Sequence, residues 1–248
     1  MSTVSQVQVQ FPAVITPKSK NPPAYGPHQL ITITAPESTV SEAYRILKTN
    51  LIFKNVEKGL KFIAVTSSLP SEGKSTTAAN LAITLAHSNK RVILVDADLR
   101  RPSLHKIFGL SGAGLTNVLV GGGDCLETCS NFENFSLKIL TSGPLPPNSS
   151  ELLASSKMKF VLQELSGFAD FVILDCPPVL GFNDALALAP LIDGYLLVVG
   201  SGKVPRNAFM QTKEQLAKVG AKIIGAIVNN LDLRDTQGSY YYDSDYSR

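Results

Sequence analysis

Phe62-Ile63-Ala64-Val65-Thr66-Ser67-Ser68-Leu69-Pro70-Ser71-Glu72-Gly73-Lys74-Ser75-Thr76 is the stretch that decides the fold. Phe62 to Thr66 is apolar or β-branched on consecutive positions, the pattern of a strand covered on both faces. The segment then closes on Gly-Lys-Ser, and the alanine- and leucine-rich run from Ser75 to Ser88 reads as a helix. Strand, loop and helix in that order form a phosphate-binding loop. Gly73 lets the backbone approach a phosphate closely, and the helix beginning at Ser75 turns free N–H groups and its positive dipole end toward it. Ser71, Glu72, Gly73, Lys74, Ser75 and Thr76 are therefore the expected ATP-binding residues. Lys74 would neutralise the β and γ oxygens, Ser75 would ligate Mg²⁺ and Thr76 would hydrogen-bond a phosphate. Ser68 stands where the G-x-x-x-x-G-K-[ST] pattern has its first glycine.

Working outward, further β-rich runs alternate with helical stretches: Arg91 to Val95, Leu137 to Thr141, Phe171 to Leu174, Tyr195 to Val199 and Lys222 to Val228. Helices are expected at Ser150 to Leu165 and Arg206 to Val219. This alternation predicts an α/β fold: a P-loop NTPase whose mostly parallel central sheet carries helices on both faces, in a single domain over residues 36–231. Upstream, Val40, Tyr44, Leu47 and Leu51 recur at helical spacing, with Thr39 and Glu42 placed as a capping box, so an amphipathic helix is expected over residues 37–55. Residues 1–35 hold Pro12, Pro17, Pro22, Pro23 and Pro27 and read as a mobile leader. Residues 232–248 form a polar, tyrosine-rich tail.

The chain has 248 residues, 44% hydrophobic and 17% charged, enough apolar sequence for a sizeable core and too much for wholesale disorder. Its formal charge of +3 gives no bulk electrostatic case for a nucleic-acid partner. Cys125, Cys129 and Cys176 are too few for a disulfide scaffold and lack companion ligands for zinc. The most apolar stretch, 183–200, is interrupted by Asp184 and Asp193, and the first residues have no secretory pattern. A cytoplasmic protein is expected.

Two acidic segments complete the site. Val92-Ile93-Leu94-Val95-Asp96-Ala97-Asp98-Leu99-Arg100 and Phe171-Val172-Ile173-Leu174-Asp175-Cys176-Pro177-Pro178 place aspartates at strand ends, where open α/β sheets bind ligands. Three acids with Ser75 offer an all-oxygen environment for Mg²⁺, the chosen ligands being Ser75, Asp98 and Asp175. Lys74, Asp96, Asp98 and Asp175 are the expected catalytic residues. The base that accepts a hydroxyl proton is sought first in Asp96, then in Asp98. The basic residues Arg100, Arg101, His105 and Lys106 follow closely, as a phosphate-side group, a subunit contact or a solvated face.

With these motifs the sequence resembles the bacterial tyrosine kinases, P-loop enzymes of capsule and exopolysaccharide assembly. The resemblance runs from about Glu37 to Tyr246. It includes Glu42-x-x-Arg45-x-x-Lys48, Lys106-Ile107-Phe108-Gly109-Leu110, Gly114-Leu115-Thr116, Ser142-Gly143-Pro144-Leu145-Pro146-Pro147-Asn148 and Ser150-Glu151-Leu152-Leu153. It implies that Ser68 to Ser75 is the Walker A element, Asp96 and Asp98 the Walker A′ element and Asp175 the Walker B element. It also implies an ATP- and Mg²⁺-dependent kinase that phosphorylates a neighbour's tyrosine tail and regulates polysaccharide production and export. Glu42, Arg45 and Lys48 would be oligomer contacts in a ring of subunits, an octamer being one form, when the tail is unphosphorylated. Lys48 replaces the family's arginine there and lacks its guanidinium fork. The resemblance is to the free-standing kind, activated by a separate membrane-spanning co-polymerase that would hold the protein at the inner face of the cell membrane.

Four of the seven tyrosines, Tyr240, Tyr241, Tyr242 and Tyr246, lie in the last nine residues beside Asp243 and Asp245. They are the expected autophosphorylation sites. From Leu231 to Arg248 the chain could extend at most ~60 Å at about 3.3–3.6 Å per residue, enough for phosphorylation in trans. The rival is a MinD/ParA-type positioning ATPase. Those proteins carry a signature lysine in K-G-G-x-G-K-[ST]; here Leu69 and Pro70 occupy the lysine and glycine places, and the tail has no basic amphipathic helix.

Overall fold

The computed structural model describes residues 26–132 and 135–230. The leader up to Tyr25 and the four tail tyrosines lie outside the described residues. Seven strands, β1 (Phe62–Ser67), β2 (Val92–Asp96), β3 (Ser130–Phe132), β4 (Leu137–Leu140), β5 (Phe171–Asp175), β6 (Gly194–Gly200) and β7 (Ile223–Asn229), form one sheet in the order β3-β4-β2-β5-β1-β6-β7. Every pair is parallel except β3 with β4. The helices are α1 (Ile31–Thr34), α2 (Thr39–Lys58), α3 (Lys74–Ala86), α4 (Leu104–Phe108), α5 (Leu115–Leu119), α6 (Cys125–Thr128), α7 (Ser149–Leu153), α8 (Ser156–Phe168), α9 (Asp184–Ala187) and α10 (Arg206–Lys218).

Consecutive apolar residues in the central strands serve two cores. Ile63, Val65, Leu94 and Ile173 join α2 and α3 on one face; Ala64, Ile93, Val95, Val172 and Leu174 join α5 and α8 on the other. The small residues Ala78, Ala79, Ala82 and Ala86 let α3 lie buried, Thr76 excepted, between the sheet and α2. In turn α2 buries Tyr44, Leu47 and Leu51, each such side chain contributing about 1.5–3 kcal/mol. Register then fixes the site: Asp96 is paired with Asp175, and Asp175 with Val65, so the C-terminal ends of β2, β5 and β1 lie side by side.

Several local expectations need correcting. Residues 26–35, assigned to the leader, are packed on the domain: Leu30 is buried, and Asn80 Oδ1 accepts Thr32 N–H at 3.1 Å and Thr32 Oγ1–H at 3.0 Å. The cap of α2 is Ser38, whose hydroxyl accepts the Ser41 N–H at 3.2 Å; Thr39 is already helical and Glu42 pairs with Arg45. The helix expected from Ser150 to Leu165 is two, because Ser155 caps the second by accepting the Met158 N–H. β3 is a short antiparallel edge strand with no apolar signal of its own. Among the described residues no helix is long and apolar enough to cross a membrane.

Candidate functional site: a phosphate loop facing paired carboxylates

The loop leaves β1 at Ser67 and enters α3 at Lys74, one residue before the expected start. Its left-handed turns fall at Ser71, φ 65°, and Gly73, φ 93°. A Cβ on Gly73 would stand 2.0 Å from Asn229 Nδ2, so glycine is required there on steric as well as conformational grounds. Ser68, in the first-glycine place, is buried, and its Oγ accepts a hydrogen bond from Thr212 Oγ1 at 2.9 Å. Among the described residues no side chain caps α3, and its first-turn N–H groups can meet an anion. Ser71 on the loop is exposed and Thr76 in the first turn of α3 half-buried, whereas Glu72 is buried.

Lys74 is the centre of the charge arrangement. Its Nζ donates to Asp98 Oδ2 at 2.7 Å and lies 3.5 Å from Asp175 Oδ1 and 3.3 Å from Ser75 Oγ. Burial alone would lower its pKa; the carboxylates of Asp175 and Asp98 outweigh that and hold the ammonium above the ordinary lysine range. The structure thus brings Lys74, Ser75, Asp96, Asp98 and Asp175 to one end of the sheet.

The aspartates differ in what they face. Asp98 accepts Lys74 on one oxygen and the N–H groups of Arg100 (3.3 Å) and Arg101 (3.0 Å) on the other. Asp96 turns toward the start of α4, accepting from Ser103 N at 3.1 Å and Leu104 N at 3.0 Å, while its other oxygen accepts from Asp98 N at 3.2 Å. Burial, then repulsion from Asp175, pushes the Asp96 carboxyl up to about 8. Asp175 is raised as well, chiefly by burial, against the lowering effect of Lys74 and Ser75; among the described residues its oxygens have no partner within hydrogen-bonding geometry, Lys74 Nζ standing at 3.5 Å.

That fully buried carboxylate, ion-paired with Lys74 at 3.5 Å and beside the Ser75 hydroxyl and the Asp98 carboxylate, suits a hard divalent cation. Among the described residues no three His, Cys, Asp or Glu side chains are arranged to hold a metal, and Asp96 Oδ2 is engaged by the Ser103 and Leu104 N–H groups. The three-acid environment reduces to Asp98 and Asp175 with the Ser75 hydroxyl.

Glu42 and Arg45 sit on the outer side of α2, paired at 2.8 Å, with the Arg45 guanidinium also donating to Pro36 O; Lys48 is half-buried on the same helix. They form no part of the loop site. Arg100 binds fully buried Asp184 through Nε at 2.9 Å and Nη2 at 3.0 Å and stacks on Phe182 at 4.4 Å. Ser150 donates to the same Asp184 carboxylate. Sequence reading missed this link between the β2 loop, α7 and α9: nothing in spacing distinguishes Asp184 from a charge at a helix start. It also missed Asn229, which a lone asparagine at a strand end does not advertise.

Residues 59–239 match the ParA family model, described as NUBPL iron-transfer P-loop NTPase. The chain is 42% identical over 218 residues to tyrosine-protein kinase YwqD of Bacillus subtilis, covering 87% of this chain and 92% of that one. Among solved structures, the kinase domain of the Escherichia coli tyrosine kinase ETK superposes with a TM-score of 0.83 at 28% identity, covering 95% of each chain. The septum site-determining protein MinD of Pyrococcus horikoshii, with Mg-ADP, reaches a TM-score of 0.58 at 25% identity, covering 68% of this chain and 70% of that one. The wider coverage and higher identity lie on the kinase side, the branch that Leu69 and Pro70 in the loop favour. The chain belongs to the bacterial tyrosine-kinase family of P-loop NTPases.

Proposed function

We propose that this protein is an ATP-dependent protein-tyrosine autokinase that phosphorylates Tyr240, Tyr241, Tyr242 and Tyr246 of a neighbouring copy. The observation that carries the reading is the convergence of Lys74 on Asp98 and Asp175, at 2.7 and 3.5 Å, beside the uncapped start of α3. The loop N–H groups and Lys74 bind and orient the triphosphate. Ser75, Asp98 and Asp175 would hold Mg²⁺, which would supply electrostatic stabilisation of the transferring phosphoryl group. A tyrosine phenol attacks the γ-phosphorus, the bond to the β,γ-bridging oxygen breaks, and ADP leaves. The phenol has a pKa of about 10 and must lose its proton. Asp96, with a proton affinity near the working pH once buried beside Asp175, is the acceptor; Oδ1, with one backbone bond, keeps a lone pair for that proton.

Glu42, Arg45 and Lys48 on the outer side of α2 are the subunit contacts of a ring in this reading. A membrane-spanning co-polymerase is the activator that holds the kinase at the inner face of the membrane, where the phosphorylation cycle regulates capsular or exopolysaccharide synthesis. Incubation of the purified chain with ATP and Mg²⁺, with and without the cytoplasmic segment of a candidate activator, tests the activity. Mass spectrometry should place phosphate on the four tail tyrosines and on none in Lys74→Met. Phosphate confined to other residues, or absent under both conditions, defeats the proposal.

A further inference from the structure

Glu72 belongs to the phosphate loop, yet its side chain lies behind it. The carboxylate belongs to a residue only 1% exposed, and accepts the N–H of Leu69 at 2.6 Å on Oε1 and of Gly200 at 2.9 Å on Oε2. The Glu72 carbonyl accepts Asn229 Nδ2 at 2.9 Å, and the same amide fills the space that a Cβ on Gly73 would need. Gly200 and Asn229 end β6 and β7, are paired in register, and are tied again by Ser201 N–H donating to Asn229 O at 2.8 Å. Two strand ends therefore grip the loop through the Glu72 carboxylate, the Glu72 carbonyl and the flank of Gly73.

The loop needs such a grip. Ser68 replaces a glycine, and the chain turns left-handed at Ser71, a conformation unfavourable for any residue with a Cβ. Charge-assisted bonds from one carboxylate to two backbone N–H groups are strong enough to hold an unfavourable turn. A loop held in this way presents its N–H groups before the ligand arrives.

We propose that Glu72 and Asn229 are positioning residues for nucleotide binding, holding the Ser68–Gly73 backbone in its phosphate-receiving shape from behind without touching the nucleotide. Their role presupposes a nucleoside-triphosphate loop, as read above, and is independent of what receives the phosphate.

Glu72→Gln keeps the side-chain size and replaces one acceptor oxygen by an NH₂ group that faces a backbone N–H. Binding of a fluorescent ADP analogue with Mg²⁺ to the full chain should weaken about 10- to 100-fold. In phosphotransfer the KM for ATP should rise by a similar factor with kcat within about twofold, the signature of lost binding common to ground and transition states. Affinity within about twofold of the unsubstituted protein overturns the assignment, as does a fall in kcat at unchanged KM. Should the variant melt before it can be assayed, hydrogen exchange on the unsubstituted, nucleotide-free protein decides. Slow exchange of the Leu69 and Gly200 amides supports the brace, and free exchange of both overturns it. A protein whose affinity for the ADP analogue falls on Glu72→Gln but which forms no phosphotyrosine keeps the brace and loses the kinase reading.

Discussion

Lys74→Met removes the positive charge and nearly preserves side-chain length, and its effect on stability can be worked from the geometry. In the nucleotide-free protein the ammonium lies 2.7 Å from Asp98 and 3.5 Å from Asp175, with side-chain exposures of 10%, 3% and 0% respectively. Asp96, fully buried, adds a third carboxyl group. Removing one member of a buried ion pair costs about 3–5 kcal/mol because the remaining charge is left uncompensated. At about 2–4 °C per kcal/mol for a domain of this size, the melting temperature should fall by about 6–20 °C at pH 8. The sign with pH follows from which state holds the proton. Without the ammonium, Asp96 and Asp175, both already raised by burial, bind protons more tightly folded than unfolded, so the folded variant gains stability as pH falls. The deficit is full above their raised pKa values and disappears toward the ordinary carboxylate range of about 4. Thermal melts of both proteins between pH 5 and 8.5 read this directly. Adding Asp98→Asn to the Lys74→Met chain should restore part of the loss, a coupling expected of groups in contact. Equal melting temperatures at pH 8, or a gap that ignores pH, would refute the buried ion-pair cluster.

Other outcomes follow from single features. Gly73→Ala places a Cβ 2.0 Å from Asn229 Nδ2 at φ 93°; nucleotide affinity measured by calorimetry should fall at least about tenfold, and a retained affinity would show that the loop yields easily. Asp96→Asn should abolish phosphotransfer while leaving nucleotide affinity within about threefold. In the unsubstituted protein kcat should climb with pH toward the raised value of Asp96, about 8. The same raised value makes Asp96 stabilise the fold below the ordinary carboxylate value of 3.8 and lose that contribution as pH rises through about 8. Asp184→Ala strands Arg100 and the Ser150 hydroxyl and should destabilise the fold by about 1–3 kcal/mol in denaturant melts. An unchanged midpoint would mean that the Arg100 link is ornamental. Each tail phosphate adds about −1.5 to −2 charges, so light scattering should show rings for the unmodified protein and smaller species after phosphorylation. Equal mass in both states would remove the cycle.

The sheet was legible because its central strands are buried on both faces: Phe62 to Val65, Val92 to Val95 and Phe171 to Leu174 read as unbroken apolar runs, the last two leading directly into Asp96 and Asp175. The loop was legible for a different reason, since Gly73 and Lys74 answer to the geometry of phosphate itself. What escaped were features set by distant partners. Ser130 to Phe132 becomes a strand only because β4 offers an edge. Residues 26–35 order because Asn80 on α3 binds Thr32 and the Gln29 carbonyl, which proline content cannot foretell. The division between α7 and α8 follows from one serine hydroxyl. At the site, Asp96 and Asp98 look interchangeable in sequence, and only the position of α4 turns Asp96 away from Lys74 while Asp98 pairs with it.

Transfer between copies is the central claim, and a mixing experiment tests it most directly. A chain with Tyr240, Tyr241, Tyr242 and Tyr246 changed to Phe can donate but not receive phosphate on its tail. The Lys74→Met chain can receive but not donate. With Mg²⁺, ATP and the activator segment, phosphotyrosine should form on the tail of the Lys74→Met chain only when both chains are present. A Lys74→Met tail that stays unmodified in the mixture, while the unsubstituted protein phosphorylates itself, would contradict transfer in trans. Absence of phosphotyrosine in every arm would contradict the kinase itself.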